Sequence, residues 1–143
     1  MYTVKEILDT KGREIYSISP DTLVFDALKY MAEKDVGAVV VVENDKIAGM
    51  FTERDYARKV ILRGKSSKES NVSEFMTKRI FFVEPNTTTN ECMAIMTDKR
   101  TRHLPVMENG KLIGIISIGD VVNKIIIDQR NTIQYLENYI IGG

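Results

Sequence analysis

Two stretches of this chain place a hydroxyl and a carboxylate three residues apart, each just after an apolar run that contains a glycine. They are Gly49-Met50-Phe51-Thr52-Glu53-Arg54-Asp55 and Gly114-Ile115-Ile116-Ser117-Ile118-Gly119-Asp120. That spacing serves two chemistries. At a helix start it closes a capping box, in which the hydroxyl accepts from a first-turn amide and the carboxylate is favoured by the helix dipole. The same corner also suits a nucleotide. Free amides at a helix N-terminus take phosphate, the hydroxyl adds one bond, and an aspartate accepts two bonds from a ribose diol. Glycine in the preceding strand lets a ligand approach the backbone. The two stretches alone leave both uses open.

The basic residues are distributed unequally around these motifs. The first motif contains Arg54 where the second has Gly119, while Arg102-His103 stands at the place of Gly37-Ala38. His103 is the only histidine, and it reads either as a structural side chain or as a phosphate contact. With no second histidine and one cysteine, metal ligation has little support. Arg54, Arg58, Lys59, Arg63, Lys65 and Lys68 form a further basic stretch, by default a solvated helix face, from which Arg54 is best placed to lean toward a ligand. Cys92 takes the position of Ala27 and is expected on a buried helix face. There is no nucleophile–base pair, no P-loop and no metal cluster, so an enzyme is not expected.

The elements that must position these residues come twice. Residues 18–60 lie over 83–125 without gaps, an offset of 65 residues. The coincidences include Pro20/Pro85, Thr22/Thr87, Met31/Met96, Gly49/Gly114 and Asp55/Asp120. Each copy reads as strand, helix, strand, strand, helix. The first strands are expected at Ile15–Ile18 and Ile80–Val83, and the β-branched run Ala38–Val42 is a strand buried on both faces. Glu43-Asn44-Asp45 and Glu108-Asn109-Gly110 are tight turns before the return strands Lys46–Phe51 and Lys111–Ile116. A second helix begins at Thr52 and at Ser117. The latter keeps apolar spacing through Val121, Val122, Ile125, Ile126, Ile133, Leu136 and Ile140, so it should run to about Tyr139 and pack on the body or on another subunit. A short lead-in helix echoes ahead of each copy, Val4–Leu8 and Val72–Met76, at an offset of 68. The first copy therefore carries three more residues, near Lys11-Gly12-Arg13. Gly64–Asn71 is a polar linker.

Composition narrows the class. The chain has 143 residues, 43% apolar and 28% charged, with 20 basic side chains balancing 20 acidic ones. That balance argues against a general polyanion binder. One cysteine excludes an internal disulfide and favours a reducing compartment. No run approaches the roughly 20 apolar residues of a membrane span, and no signal-like segment opens the chain, so a cytoplasmic setting is expected.

A doubled unit closing on Gly-h-h-Thr/Ser-x-x-Asp, with h an apolar residue, resembles a tandem pair of cystathionine-β-synthase (CBS) domains, a Bateman module. The phrases Phe51–Lys59 and Arg102–Val106 are similar to the small stand-alone members of that family. The resemblance covers nearly the whole chain. It implies an α+β (α/β-like) fold of two β-α-β-β-α units related by a pseudo-two-fold axis, copy one spanning 1–68 with its lead-in helix and copy two 69–143 with its extended last helix. It further implies adenine-nucleotide sensing in clefts between the copies, the motif Asp on ribose, the Thr/Ser near phosphate, and the basic pair reaching phosphate from the opposite copy. The expected ligand site takes Ile18, Pro20, Thr52, Arg54, Asp55, Arg102, His103 and Pro105. A second, weaker cleft takes Val83, Gly37, Ala38, Ser117, Gly119 and Asp120. The expected function is a regulatory module that binds AMP, ATP or NAD(H), forms a homodimer and acts on a protein in trans. The competing expectations are a constitutive dimeric scaffold and, disfavoured by the neutral charge, a nucleic-acid binder.

Overall fold

In the computed structural model, which describes residues Met1–Gly142, the chain forms two compact units. One is Ile15–Ile80; the other joins Met1–Glu14 to the segment that begins at Phe81. This partition differs from the sequence repeat because the lead-in segments are exchanged.

In the Ile15–Ile80 unit, strand β1 (Ser17–Ile18) runs parallel to β2 (Ala38–Glu43), which pairs antiparallel with β3 (Lys46–Thr52). Helix α2 (Val24–Lys34) buries Val24, Ala27 and Met31 against this sheet. The β2–β3 hairpin turns on Asn44 and Asp45, at φ 53 and 62. Two successive left-handed residues match the twist of a two-residue hairpin. After Thr52 the expected second helix is a single turn, α3 (Glu53–Asp55), followed by a π-helix over Tyr56–Ile61.

The other unit repeats this plan. Helix α4 (Thr89–Lys99) packs with the antiparallel pair β4 (His103–Glu108) and β5 (Lys111–Ser117), turning on Asn109 and Gly110 at φ 52 and 76. Both hairpins bulge at the equivalent place, between Val41 and Val42 and between Val106 and Met107. Helix α5 (Ile118–Gly142) is longer than the sequence reading, which ended it near Tyr139.

The expected strand at Ile80–Val83 shrinks to one parallel bridge, Val83 to Val106. The reason lies in Pro105. Its counterpart Val40 donates its amide to the Tyr16 carbonyl at 3.2 Å, whereas proline has no N–H to offer the equivalent Phe81.

Exchange of the lead-ins follows a matching set of bonds. Val72 donates to the Thr22 carbonyl and Ser73 to that of Pro20; in the other unit Val4 donates to Thr87 and Lys5 to Pro85. Helix α1 (Val4–Lys11) thereby seats Val4, Ile7 and Leu8 in a core with Leu104, Val106 and Ile116. The second lead-in, a 3₁₀ turn at Val72–Glu74, seats Val72 and Phe75 with Phe51 and Val60.

Candidate functional site

Each Thr/Ser-x-x-Asp motif sits at a strand-to-helix corner. At the end of β3, Thr52 is extended, at φ −124 and ψ 160. Its hydroxyl accepts from the Asp55 amide at 3.0 Å, and Oδ2 of Asp55 accepts from the Thr52 amide at 3.1 Å. The carboxylate is engaged further. The Thr77 hydroxyl donates to Oδ1 at 3.1 Å, and Lys59 Nζ lies 3.0 Å from Oδ1 while also donating to the Phe75 carbonyl at 3.3 Å. Asp55 is buried, its side chain 9% exposed. A buried carboxylate needs such partners, since an unpaired one costs several kcal/mol.

The second corner has the same box and a different occupant. Ser117 accepts from the Asp120 amide at 3.2 Å and donates its own amide to Oδ2 of Asp120 at 2.8 Å. Lys11, the last residue of α1, places Nζ 2.7 Å from that same Oδ2 and 2.8 Å from the Ile115 carbonyl. The Asp120 side chain is 24% exposed. Burial raises the Asp120 pKa, but the Lys11 and Ser117 bonds outweigh it and hold the carboxyl below its ordinary value. Lys124, the counterpart of Lys59, bonds the Thr10 hydroxyl instead.

The glycines before both motifs face protein. A Cβ on Gly49 would lie 2.8 Å from Met76 Sδ and 2.8 Å from the Thr77 carbonyl oxygen; one on Gly114 would lie 2.7 Å from Leu8 Cδ2. The space that the sequence reading offered to a ligand is filled by the lead-in segments.

Among the expected ligand residues, Ile18 ends β1, Pro20 stands in the turn after it, and Thr52, Arg54 and Asp55 form the first corner. Arg54 is half-buried. Gly37 and Ala38 lie at this same corner: the Gly37 carbonyl accepts from Glu53, and Ala38 pairs with Thr52. Arg102, His103 and Pro105 belong to the other unit with Val83, Ser117, Gly119 and Asp120. There the Arg102 carbonyl accepts from Ile118 at 2.8 Å, and His103 pairs with Ser117. Burial first, then the Lys11 charge, lowers the His103 pKa against an upward pull from Asp120.

Three functional-looking groups were missed. Lys59 was legible, since Asp55 and Lys59 stand four apart on one helix face. Thr77 carried no signal. Lys11 falls in the three residues that break the repeat, and the break was the available clue. Among the described residues no cluster of three or more His, Cys, Asp or Glu could hold a metal ion, and no helix is long and apolar enough to cross a membrane.

Comparison with known proteins agrees with this architecture. The family described as CBS domain matches residues 4–62 and 72–127. The CBS domain-containing protein CBSX3, mitochondrial, of Arabidopsis thaliana is 40% identical over 99% of this chain and 73% of its own length. The structure of a protein with CBS domains from Burkholderia ambifaria superimposes with a TM-score of 0.86 at 54% identity, covering 90% of this chain and 96% of that one. At 18% identity, and so in fold alone, the CBS domain pair of MJ0100 matches with a TM-score of 0.77 over 87% of this chain and 96% of its own; that pair is in complex with 5'-methylthioadenosine and S-adenosyl-L-methionine.

Proposed function

The chain belongs to the CBS-domain family, and on that premise we propose that it is a non-catalytic regulatory module that binds an adenine nucleotide (AMP, ATP or NAD(H)) and acts on a partner protein in trans. CBS pairs are as a class regulatory and ligand-binding, and one pair of this fold holds two adenosine-containing ligands. The observation that carries the reading is the duplicated corner. Two helix N-termini, each with a hydroxyl and an aspartate three residues apart, stand at equivalent strand ends.

The assignment follows the family resemblance, in which the basic pair of one copy serves the corner of the other. Asp55 takes the ribose, Thr52 lies near the phosphates, and Arg54, Arg102 and His103 supply positive charge to them. Ile18, Pro20 and Pro105 line the base and sugar. The corner at Ser117, Gly119 and Asp120, with Val83, Gly37 and Ala38, is the weaker site. A nucleotide held through ribose by one copy and through phosphate by the other favours the arrangement in which both contacts exist, and that difference is what shifts an equilibrium. A cytoplasmic setting belongs to this reading, although one relative is named as mitochondrial. So does a homodimer, supported by apolar side chains left exposed on helices, Ile61, Ile126 and Ile133 among them.

A second reading has its own support. Because the Asp55 carboxylate is already bonded by Thr52, Thr77 and Lys59, the corners could serve folding alone in a constitutive dimeric scaffold. Thermal unfolding with AMP, ATP and NADH separates the two. A ligand of the native state raises Tm, by about 2.7 kcal/mol of added stability at a hundredfold excess over Kd. An unchanged Tm with every nucleotide leaves the scaffold.

A further inference from the structure

Helix α5 carries two apolar faces, and the unit uses only one. Val121 is fully buried, with Ile118 and Ile125 packed beside it, and further along Asp128 pairs with the N-terminal amine and Asn131 bonds the Tyr2 hydroxyl. Every residue from 129 to 140 is exposed. That leaves roughly three turns, about 16 Å, projecting from the unit. Helical stability in proteins comes mostly from packing of an apolar face, and this end has none packed.

The unused face has a heptad register. Val122, Ile126, Gln129, Ile133, Leu136 and Ile140 follow one another at alternating steps of four and three. Ile126, Ile133 and Ile140 take one seam position, Val122, Gln129 and Leu136 the other, as in a two-stranded coiled coil. Ile133, Leu136 and Ile140 are 56%, 51% and 77% exposed. Only Arg130 and Glu137 flank the seam with charge. They stand seven residues apart on the same edge, so the seam is neutral and self-complementary.

Those charges also choose a direction. Two parallel copies would set Arg130 beside Ile125 and Glu137 beside Thr132, leaving both unpaired. Two antiparallel copies, with Ile133 packed on the partner's Leu136, bring each Arg130 to the partner's Glu137, twice by symmetry. We propose that the projecting end of α5 is an antiparallel two-helix seam for a second copy of this chain. The proposal deepens the homodimer reading above and rests on it.

Sedimentation velocity on the full chain tests it with two charge reversals, Arg130→Glu and Glu137→Arg. Each alone replaces two attractions by two repulsions and should weaken dimerisation about tenfold. An equal mixture of the two variants should recover a dimer, since each copy then offers the charge the other lacks; a folding defect is not rescued by mixing. Leu136→Asp should abolish the dimer. A wild-type dimer untouched by all three variants overturns the seam and leaves the homodimer on another surface, and single reversals that weaken but do not recover on mixing overturn the antiparallel pairing. A wild-type monomer at micromolar concentration overturns both the seam and the homodimer.

Discussion

At the scale of single residues, both aspartates close a helix cap, but their carboxylates are committed to different degrees. Asp55 holds Thr52, Thr77 and Lys59 in a buried position, so Asp55→Ala should destabilise the protein by about 1–3 kcal/mol, read by chemical denaturation. Asp120→Ala should cost less, because the carboxylate that Ser117 and Lys11 bond is more exposed than that of Asp55. If the first corner carries the nucleotide, Asp55→Ala also weakens binding more than Asp120→Ala does. Arg102→Ala should then reduce affinity for AMP more than for adenosine, which has no phosphate to lose. His103 has a folded-state pKa below its ordinary value of about 6.5, because burial and Lys11 disfavour its charge. Unfolded chains therefore take up this proton first. The contribution of His103 is full above about pH 6.5 and is lost as pH falls below it, and His103→Gln should flatten that slope in a pH series of unfolding free energies. The capping boxes were legible because the spacing of hydroxyl and carboxylate is local. The partners of the carboxylates were not, apart from Lys59, because Thr77 and Lys11 arrive from segments that no local pattern connects to the motif.

At the scale of elements, the repeat made most of the fold legible, down to hairpins that turn at equivalent residues. Two departures stand out, and the first has a local cause. Pro105 removes the amide that would extend the strand at Val83, and the segment after Asp55 winds as a π-helix while Lys59 reaches back to the carboxylate. The strand glycines were read as room for a ligand, and packing explains them instead. Gly49→Ala should cost about 1–3 kcal/mol by overpacking. Gly114→Ala should cost less: a methyl group there meets the end of the flexible Leu8 side chain, whereas at Gly49 it meets the Thr77 backbone as well. Denaturant midpoints of the two variants decide the order. The helix faces were legible from periodicity, including the buried place of Cys92, whose thiol is pushed up to about 11 by burial and then by Glu91.

At the scale of the whole molecule, exchange of the lead-in segments is what the offset of 68 could not reveal. The echo at Val4 and Val72 marked two equivalent helices, but which copy each one joins depends on bonds distant in sequence, such as Val4 to Thr87. Leu8 is fully buried among residues of the unit that begins at Phe81, so Leu8→Ala should lower stability by about 2–5 kcal/mol. Hydrogen exchange should place that loss in β4 and β5 rather than in β2 and β3. Two copies of one unit, each with a helix N-terminus that carries its own hydroxyl and aspartate, underlie the proposed binding of an adenine nucleotide. Titration calorimetry of AMP, ATP and NADH into the wild-type protein and into Asp55→Ala tests it most directly. The account predicts saturable binding of at least one nucleotide to the wild type and a marked loss of affinity in a folded Asp55→Ala; no binding, or equal binding by both proteins, would contradict it and return the corner to the role of a helix cap.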